Sequence, residues 1–473
     1  MTGLVTKSDS NAFPDGAWNC RDSTRQKSRK ITIMKIIYLV TIILSVALAS
    51  CTVRDMHSGP VNIAAPTVAG RQRPEPANET IRFLEARVKV DPEDFVAFNK
   101  LASAYMQQMR ETGNDVYLEM ALEAAKTSIT ILPAENNKGG LAALAQAEFS
   151  SHRFVNARDL ARRLIEIDPG KSRGYQLLGD ALFELGQYNE AKAAFAEMEA
   201  LAGDGAMTRV AVEQRLAKLA TIYGDRAKAR SHMTNALRFA QGASPGSVET
   251  VAWCKWQLGE MAMAEGDFNS AEKHLNSALD TFPGYFAATE ALGHLRAALG
   301  DINGAIGNYE KAVSGTPDAA SAAMLGDLYQ LVGRQDDAAR QYALFEQLTV
   351  TTDDNKSLHS REIAMFNANH DIKTNEACDS AINDYKTRRD IYGADVVAWA
   401  CYKAGRTDEA RTAMSDALRF GTKDALLFYH AGMIESGAGN KDKARDLIRL
   451  ALKTNPAFDL LQSQKARAVL ASI

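Results

Sequence analysis

The chain has 473 residues, of which 46% are hydrophobic and 24% charged, and its formal net charge is −3. This composition is typical of a globular protein, because disordered chains are less apolar and low-complexity chains are richer in proline and glycine. The weak net charge argues against a protein built to bind nucleic acid. Five cysteines without a C-x-x-C spacing predict neither a disulfide-rich scaffold nor a zinc centre.

The first fifty residues have the features of an export signal. Met34 and one lysine precede the apolar run 36–49, which is too short for a stable membrane-spanning helix and ends in small residues. Leu48-Ala49-Ser50-Cys51 then resembles the lipobox of bacterial lipoproteins. Because residues 1–33 are polar and longer than an ordinary signal-peptide start, we expect the native protein to begin at Met34.

The lipobox resemblance implies that residues 34–50 are a signal peptide and that the mature chain begins at a lipidated Cys51. By analogy with enterobacterial sorting, the absence of aspartate after Cys51 favours the outer membrane, facing the periplasm, over the inner membrane. Residues 51–77 contain four prolines and no helical apolar stripe, so we expect a disordered tether. An uncleaved signal anchor with an incidental cysteine is the alternative.

Beyond residue 78, alanine recurs at intervals of mostly about 34 residues, the period of a helix–turn–helix repeat. These alanines are Ala121, Ala157, Ala191, Ala229, Ala271, Ala305, Ala338, Ala377, Ala410 and Ala444. The clearest copy, 174–203, has Leu178-Gly179, Gly186, Ala191 and Phe195 at fixed offsets. With these residues and their recurrences, the chain resembles the tetratricopeptide repeat family from about residue 95 to 457.

That resemblance implies an all-α fold, a right-handed tetratricopeptide superhelix (an α-solenoid) of about ten repeats. Each repeat is then expected to bury its apolar face only against its neighbours. We expect the solenoid to span 78–457, with an irregular break near 349–373 where the register is lost. Residues 458–473, with polar and basic side chains on one side, predict a capping helix.

The sequence carries no motif that specifies a reaction. Gly242–Gly246 matches G-x-S-x-G, but it follows a helix and has a proline after the serine, which is incompatible with a nucleophile elbow. No H-E-x-x-H pair is present among the eight histidines. We therefore predict that the protein is not an enzyme and holds no cofactor or metal. Cys378 and Cys401 fall on neighbouring helices, where two buried thiols are favoured over a disulfide.

In tetratricopeptide arrays the first helices of the repeats line a concave face. Carried over to this chain, the family's groove positions are Arg173, Gln176, Asp180, Phe183, Trp253, Trp256, Glu260, Met263, Glu290, His294, Asp327, Trp399, Tyr402 and Tyr429. Tryptophan and tyrosine are favoured anchors in binding surfaces, although the same rings also suit packing between helices. The set lacks the clustered lysines and arginines that would hold a peptide's terminal carboxylate.

The two resemblances together imply a lipid-anchored scaffold or adaptor that mediates protein–protein interactions in the bacterial cell envelope. The expected role is in assembling an envelope complex, such as pilus, secretion, outer-membrane or polysaccharide machinery. Its expected partners are proteins or peptides and, through the anchor, the membrane, with neither nucleic acid nor a small-molecule substrate. The alternative is a regulatory or substrate-recruiting subunit of a separate envelope enzyme.

Overall fold

The computed structural model describes residues 78–244, 246–315, 317–350 and 359–473, together with the residue pairs 67–68 and 71–72. The predicted signal peptide, Cys51 and most of the predicted tether lie outside these residues. Within the tether, β1 (Thr67–Val68) and β2 (Arg71–Gln72) form a short antiparallel pair.

The described part of the chain is built from helical hairpins, which confirms the all-α solenoid. A single helix, α1 (Glu79–Val90), precedes them. The first five hairpins are α2 (Phe95–Thr112) with α3 (Val116–Ile131), α4 (Lys138–Ser150) with α5 (Phe154–Ile167), α6 (Ser172–Glu184) with α7 (Tyr188–Ala200), α8 (Ala206–Ile222) with α9 (Arg226–Gly242), and α10 (Val248–Ala264) with α11 (Phe268–Thr281).

The remaining five hairpins are α12 (Phe286–Ala298) with α13 (Ile302–Gly315), α14 (Ala319–Leu331) with α15 (Gln335–Val350), α16 (Ser360–Asn369) with α17 (Thr374–Tyr385), α18 (Ile391–Lys403) with α19 (Thr407–Ala417), and α20 (Ala425–Gly437) with α21 (Lys441–Thr454). A last helix, α22 (Gln462–Ser472), follows them. No helix in the described ranges is long and apolar enough to cross a bilayer.

The repeat residues act locally as the sequence pattern predicts. In the third hairpin, Gly186 takes a left-handed φ of 76° that ends α6, and the Gln187 N–H donates to the Leu182 carbonyl at 2.9 Å. Gly179 lies where α6 and α7 cross, and a Cβ there would stand 2.3 Å from the Phe195 ring. Only glycine therefore lets these two helices approach so closely.

Successive helices run antiparallel, so the hairpins present two different edges. We call the turns within hairpins the turn edge and the connections between hairpins the junction edge. The prediction that each repeat packs only on its neighbours is wrong, because the turn edge of early hairpins contacts the junction edge of late ones. Hydrogen bonds join residues 192 to 204 positions apart in the sequence. We call this line of contacts the seam.

The seam begins with the first hairpin and continues through the third, fourth and fifth. At the first turn, Gly113 lies against the Phe286 ring. At the third turn, the Arg389 N–H donates to the Leu185 carbonyl at 3.1 Å and the Ile391 N–H donates to the Tyr188 hydroxyl at 3.2 Å. At the fourth and fifth turns, the Thr422 hydroxyl donates to the Ile222 carbonyl and the Asn455 amide donates to the Met263 carbonyl at 2.9 Å. The first turn thus meets a junction four or five hairpins further along the chain, and the third, fourth and fifth turns meet junctions five or six hairpins further along.

Two turn glycines are required by the seam as well as by their own backbone conformation. A Cβ on Gly186 would lie 2.2 Å from the Arg389 carbonyl carbon, and one on Gly224 would lie 2.4 Å from the Gly421 oxygen. Both residues also have a positive φ. Any side chain at either position would push the two edges apart, so these glycines set how closely the seam packs.

Regular helices occupy much of the stretch in which the sequence predicts a break. Helix α15 runs to Val350 and α16 begins at Ser360, while residues 351–358 lie outside the described ranges. The preference for two buried thiols nearby is wrong, since Cys378 on α17 and Cys401 on α18 form a disulfide. Neighbouring antiparallel helices bring the two Cα atoms to 4.7 Å, within bonding reach.

Candidate protein-binding groove

Five half-buried side chains on neighbouring first helices form the best candidate surface. We call this set the inner groove: Trp253, Trp256 and Glu260 on α10, and Glu290 and His294 on α12. All five were predicted from the repeat register. The two indoles meet edge to face with ring centroids 6.3 Å apart, and the Trp256 ring also meets Tyr285 at 6.4 Å. The fixed rings therefore offer a rigid apolar wall.

The polar atom of Trp256 is left without a hydrogen-bond partner. Its indole Nε1–H is shielded from water and has no acceptor among the described residues. A buried donor of this kind costs roughly 1–3 kcal/mol when it stays unpaired. Because water does not reach this atom, an acceptor from a bound chain could pair with it only if the indole turned outward.

Two carboxyl groups give the inner groove its electrostatic character. Burial raises the pKa of Glu260 to about 7, and no group in the described ranges forms an ion pair with it. Burial likewise raises the pKa of Glu290 to about 7, with Asp318 adding to the shift and a hydrogen bond from the Ser321 hydroxyl at 3.0 Å opposing it. Burial lowers the pKa of His294, an effect that Asp459 partly offsets. The groove therefore gains negative charge as the pH rises through 7.

Beyond this wall, the third hairpin holds a different charge arrangement. Arg215 on α8 donates to both oxygens of buried Asp180, at 3.0 and 2.6 Å. Arg173, whose side chain is exposed, donates to the Gln146 side chain at 3.0 Å. Asp180 is therefore already neutralised by a bidentate pair, which leaves it unavailable to a ligand cation.

Arg215 was missed by sequence reasoning. Arg215 precedes its turn glycine, Gly224, by the same number of residues as Leu177 precedes Gly186. Leu177 is a core residue. The repeat register thus gives this position an apolar role. No sequence signal marked the arginine as the partner of Asp180, because the pair joins two helices in different repeats.

Asp327 belongs to a closed network rather than to an open groove. It accepts hydrogen bonds from the Tyr342 hydroxyl at 2.8 Å and from His370 Nε2 at 2.7 Å, while His370 Nδ1 lies 2.8 Å from the Phe366 carbonyl. Burial would lower the pKa of His370, but these hydrogen bonds outweigh it and raise the pKa. The imidazolium satisfies both acceptors, so the pair fixes α14 to α16.

Two of the predicted groove aromatics lie in the core, so the structure corrects their placement. Trp399 is 1% exposed, stacks on His430 at 4.2 Å and donates from Nε1 to Asn369 at 2.8 Å. Tyr429 is fully buried, and its hydroxyl donates to Gln462 on α22 at 2.9 Å. The alternative left open by the sequence, packing between helices, holds for both rings.

The other predicted positions have mixed surroundings. Phe183 meets Tyr188 edge to face at 5.1 Å, and the Met263 side chain is buried. Tyr402 is half-buried against Trp399, with centroids 5.5 Å apart. Gln176 is half-buried. None of these adds a free polar group to the inner groove.

The described residues contain no group of three or more histidine, cysteine or acidic side chains arranged to hold a metal ion. A cleft of about 490 Å³ lies at the seam, away from the inner groove, beside Tyr188, Arg389 and Arg419. Two of its arginines are engaged, since Arg389 pairs with Asp416 at 3.6 Å and Arg419 donates to the Arg389 carbonyl at 2.6 Å.

Comparison with known solved structures finds helical-repeat proteins at low identity. One match is to PilW, described as a widely conserved type IV pilus biogenesis factor. It covers 97% of the PilW chain and 47% of this chain, at 16% identity and a TM-score of 0.37. A Rap protein complexed with competence and sporulation factor matches 80% of this chain over all of its own length, at 14% identity and a TM-score of 0.47.

A tetratricopeptide repeat protein from Parabacteroides merdae matches 56% of this chain over 98% of its own length, at 15% identity and a TM-score of 0.32. No curated protein matches the sequence. Two family models do match, both described as tetratricopeptide repeat, one over residues 172–199 and one over 257–320. The second match includes Glu260, Glu290 and His294 of the inner groove. The chain therefore carries tetratricopeptide repeats, the units through which such proteins bind protein or peptide partners.

Proposed function

We propose that this protein is a lipid-anchored adaptor of the bacterial cell envelope that holds a segment of a partner protein in its inner groove. Its anchor is Cys51, and its location is the periplasmic face of the outer membrane. The proposed role is assembly of an envelope complex. The observation that carries the binding function is the Trp253–Trp256–Tyr285 wall, whose two indoles lie on α10 together with the unpaired Glu260 carboxylate.

The charges of the inner groove favour a partner segment with a basic side chain. Asp180 and Asp327 are already paired with Arg215 and His370, whereas Glu260 has no cation beside it in the described ranges. A lysine or arginine from the partner would compensate this carboxylate in a partly desolvated site, where an ion pair is stronger than at the surface. The aromatic wall would bury the apolar residues that flank it.

Two features support the envelope location. The lipobox resemblance ends at Cys51, and the disulfide between Cys378 and Cys401 is the kind of bond that persists in oxidising compartments such as the periplasm. Cysteine pairs in the bacterial cytoplasm are normally kept reduced. The lipobox near the N-terminus and the disulfide in the late hairpins are therefore both consistent with a secreted, lipid-anchored chain.

The test is crosslinking in intact cells, followed by affinity purification and mass spectrometry. Wild type is compared with Trp256→Ala, with Glu260→Gln and with the matched control Phe83→Ala, a 64% exposed aromatic on α1 outside the groove. We expect wild type and the control to recover the same envelope proteins. Both groove variants should lose those proteins by at least about tenfold, the equivalent of 1.4 kcal/mol of binding free energy.

Partners that survive both groove substitutions would show that another surface binds. Cys51→Ser tests the anchor separately, because it should release the protein from membranes while leaving its groove intact. Recovery of mainly cytoplasmic proteins by wild type would overturn the envelope proposal. Stimulation of a recovered enzyme by the purified protein would instead favour the regulatory-subunit function.

A further inference from the structure

The seam leaves part of each edge uncovered. The turn edge of the third to fifth hairpins is covered by later junctions, but no described segment covers the turns of the sixth and seventh hairpins. A Cβ built on Gly300 or Gly333 meets nothing within 4 Å, whereas the equivalent atoms on Gly186 and Gly224 would collide with backbone. The same type of edge is therefore packed in one half of the array and free in the other.

Apolar side chains remain exposed along the free part of the turn edge. Leu299 is 57% exposed, whereas Leu185, at the same position in a turn covered by the seam, is 4% exposed. The next two turns continue the surface with Leu331, Val332 and Ile372, all exposed. These side chains are apolar, like Leu185 in a covered turn, but no described segment packs on them.

The free part of the junction edge carries a second set of exposed apolar residues. Its members lie at the ends of helices that flank the junctions of the early hairpins: Val90, Val96, Leu201 and Met207. Of the thirteen exposed large apolar residues in the described ranges, eight lie on these two free edges. Single exposed apolar residues are ordinary, but this concentration on two matching edges is not random scatter.

We propose that copies of this chain associate head to tail, with the free turn edge of one copy packed on the free junction edge of the next. The occupant follows from the seam itself, where the turn edge and the junction edge of this chain already fit each other. A second copy presents the complementary edge with the same repeat spacing. This contact is heterologous, so it leaves one edge free on each end and allows assembly beyond a dimer.

The test is sedimentation velocity of the full chain over a range of concentrations, in detergent so that any acyl group at Cys51 is shielded equally in every variant. The turn-edge variant is Leu299→Glu with Val332→Glu, and the junction-edge variant is Leu201→Glu with Met207→Glu. The matched control places the same charges away from both edges, as Phe83→Glu with Leu450→Glu, two residues that are 64% and 40% exposed. Circular dichroism checks that every variant keeps its helix content.

We expect wild type and the control to form larger species as concentration rises and each edge variant to stay monomeric. Because each edge variant keeps one intact edge, an equal mixture of the two should form dimers and nothing larger. Wild type that stays monomeric at every concentration would overturn the proposal. It would also be overturned by edge variants that associate like wild type, by a control that loses association, or by a mixture that fails to form dimers.

Discussion

Two pairs of aromatic residues, placed by the same repeat register, have opposite surroundings. Trp253 and Trp256 in the fifth hairpin stand half-buried beside the unpaired Glu260. Trp399 and Tyr429 in the ninth and tenth hairpins are buried, and each has its polar atom satisfied, by Asn369 and Gln462 respectively. Both pairs lie on first helices, so helix geometry alone does not decide whether a groove position is open.

The difference arises from what covers each pair. In the late hairpins, Asn369 at the end of α16 and Gln462 at the start of α22 bring amide groups to the rings. His430 also stacks on Trp399 and pairs with Asp395 at 2.8 Å. In the fifth hairpin no polar group in the described ranges reaches Trp256 Nε1. A fully packed and satisfied ring stabilises the fold, whereas a half-buried ring keeps apolar surface that a partner can cover.

The largest expected effect is on the buried member of the comparison. Trp399→Ala should lower the free energy of unfolding by about 3–5 kcal/mol, because it removes a fully packed indole and leaves a cavity. Trp256→Ala, at a half-buried wall, should cost less than about 2 kcal/mol. Denaturant titrations of the two variants and wild type, followed by circular dichroism, measure both. Equal losses would contradict the distinction between core and groove.

The disulfide next to Trp399 should give the second-largest effect. Replacing Cys378 and Cys401 together by alanine should lower the free energy of unfolding by about 2–4 kcal/mol, since the closed loop no longer restricts the unfolded chain. Adding a thiol reductant should destabilise wild type and Cys254→Ala alike, because Cys254 is a buried free thiol whose pKa burial raises to about 11. The double variant should not respond to reductant. A response there would mean that reduction acts elsewhere.

The smallest effect concerns the pH dependence of the inner groove. Burial holds Glu260 protonated up to about pH 7 in the folded state, whereas in the unfolded chain it ionises near 4.5. The folded state then binds more protons between these values, so stability should fall as pH rises from 4.5 to 7 and level off above. Glu260→Gln should flatten that slope, measured as the thermal midpoint against pH.

Glu409→Gln is the matched control for this pH experiment. A backbone hydrogen bond and the Arg406 guanidinium lower the pKa of this exposed carboxyl, so its substitution should leave the slope between pH 4.5 and 7 unchanged. An equal flattening by both variants would show that the dependence does not come from the groove. Affinity for a basic peptide should rise over the same range in wild type and stay constant in Glu260→Gln.

The fold could be predicted because its rules are local. Glycine at the turns and small residues at helix crossings recur in each repeat, and Gly179 and Gly186 act as that pattern indicates. The seam could not be predicted, since its partners lie about two hundred residues apart and share no motif. The same limit applies to the site: the register marked Glu260 and Trp256, but it could not distinguish them from Trp399, whose burial depends on residues from other hairpins.

The seam also bears on how the chain can evolve. Arrays of repeats commonly gain or lose whole units by duplication and deletion, because an open array has no fixed length. Here, one extra hairpin between the fourth and the eighth would move Arg389 away from Leu185 and Lys423 away from Arg226, with which each now shares a hydrogen bond. Whole-unit changes are therefore tolerated only beyond the two ends of the seam, and the number of hairpins between them is fixed by geometry.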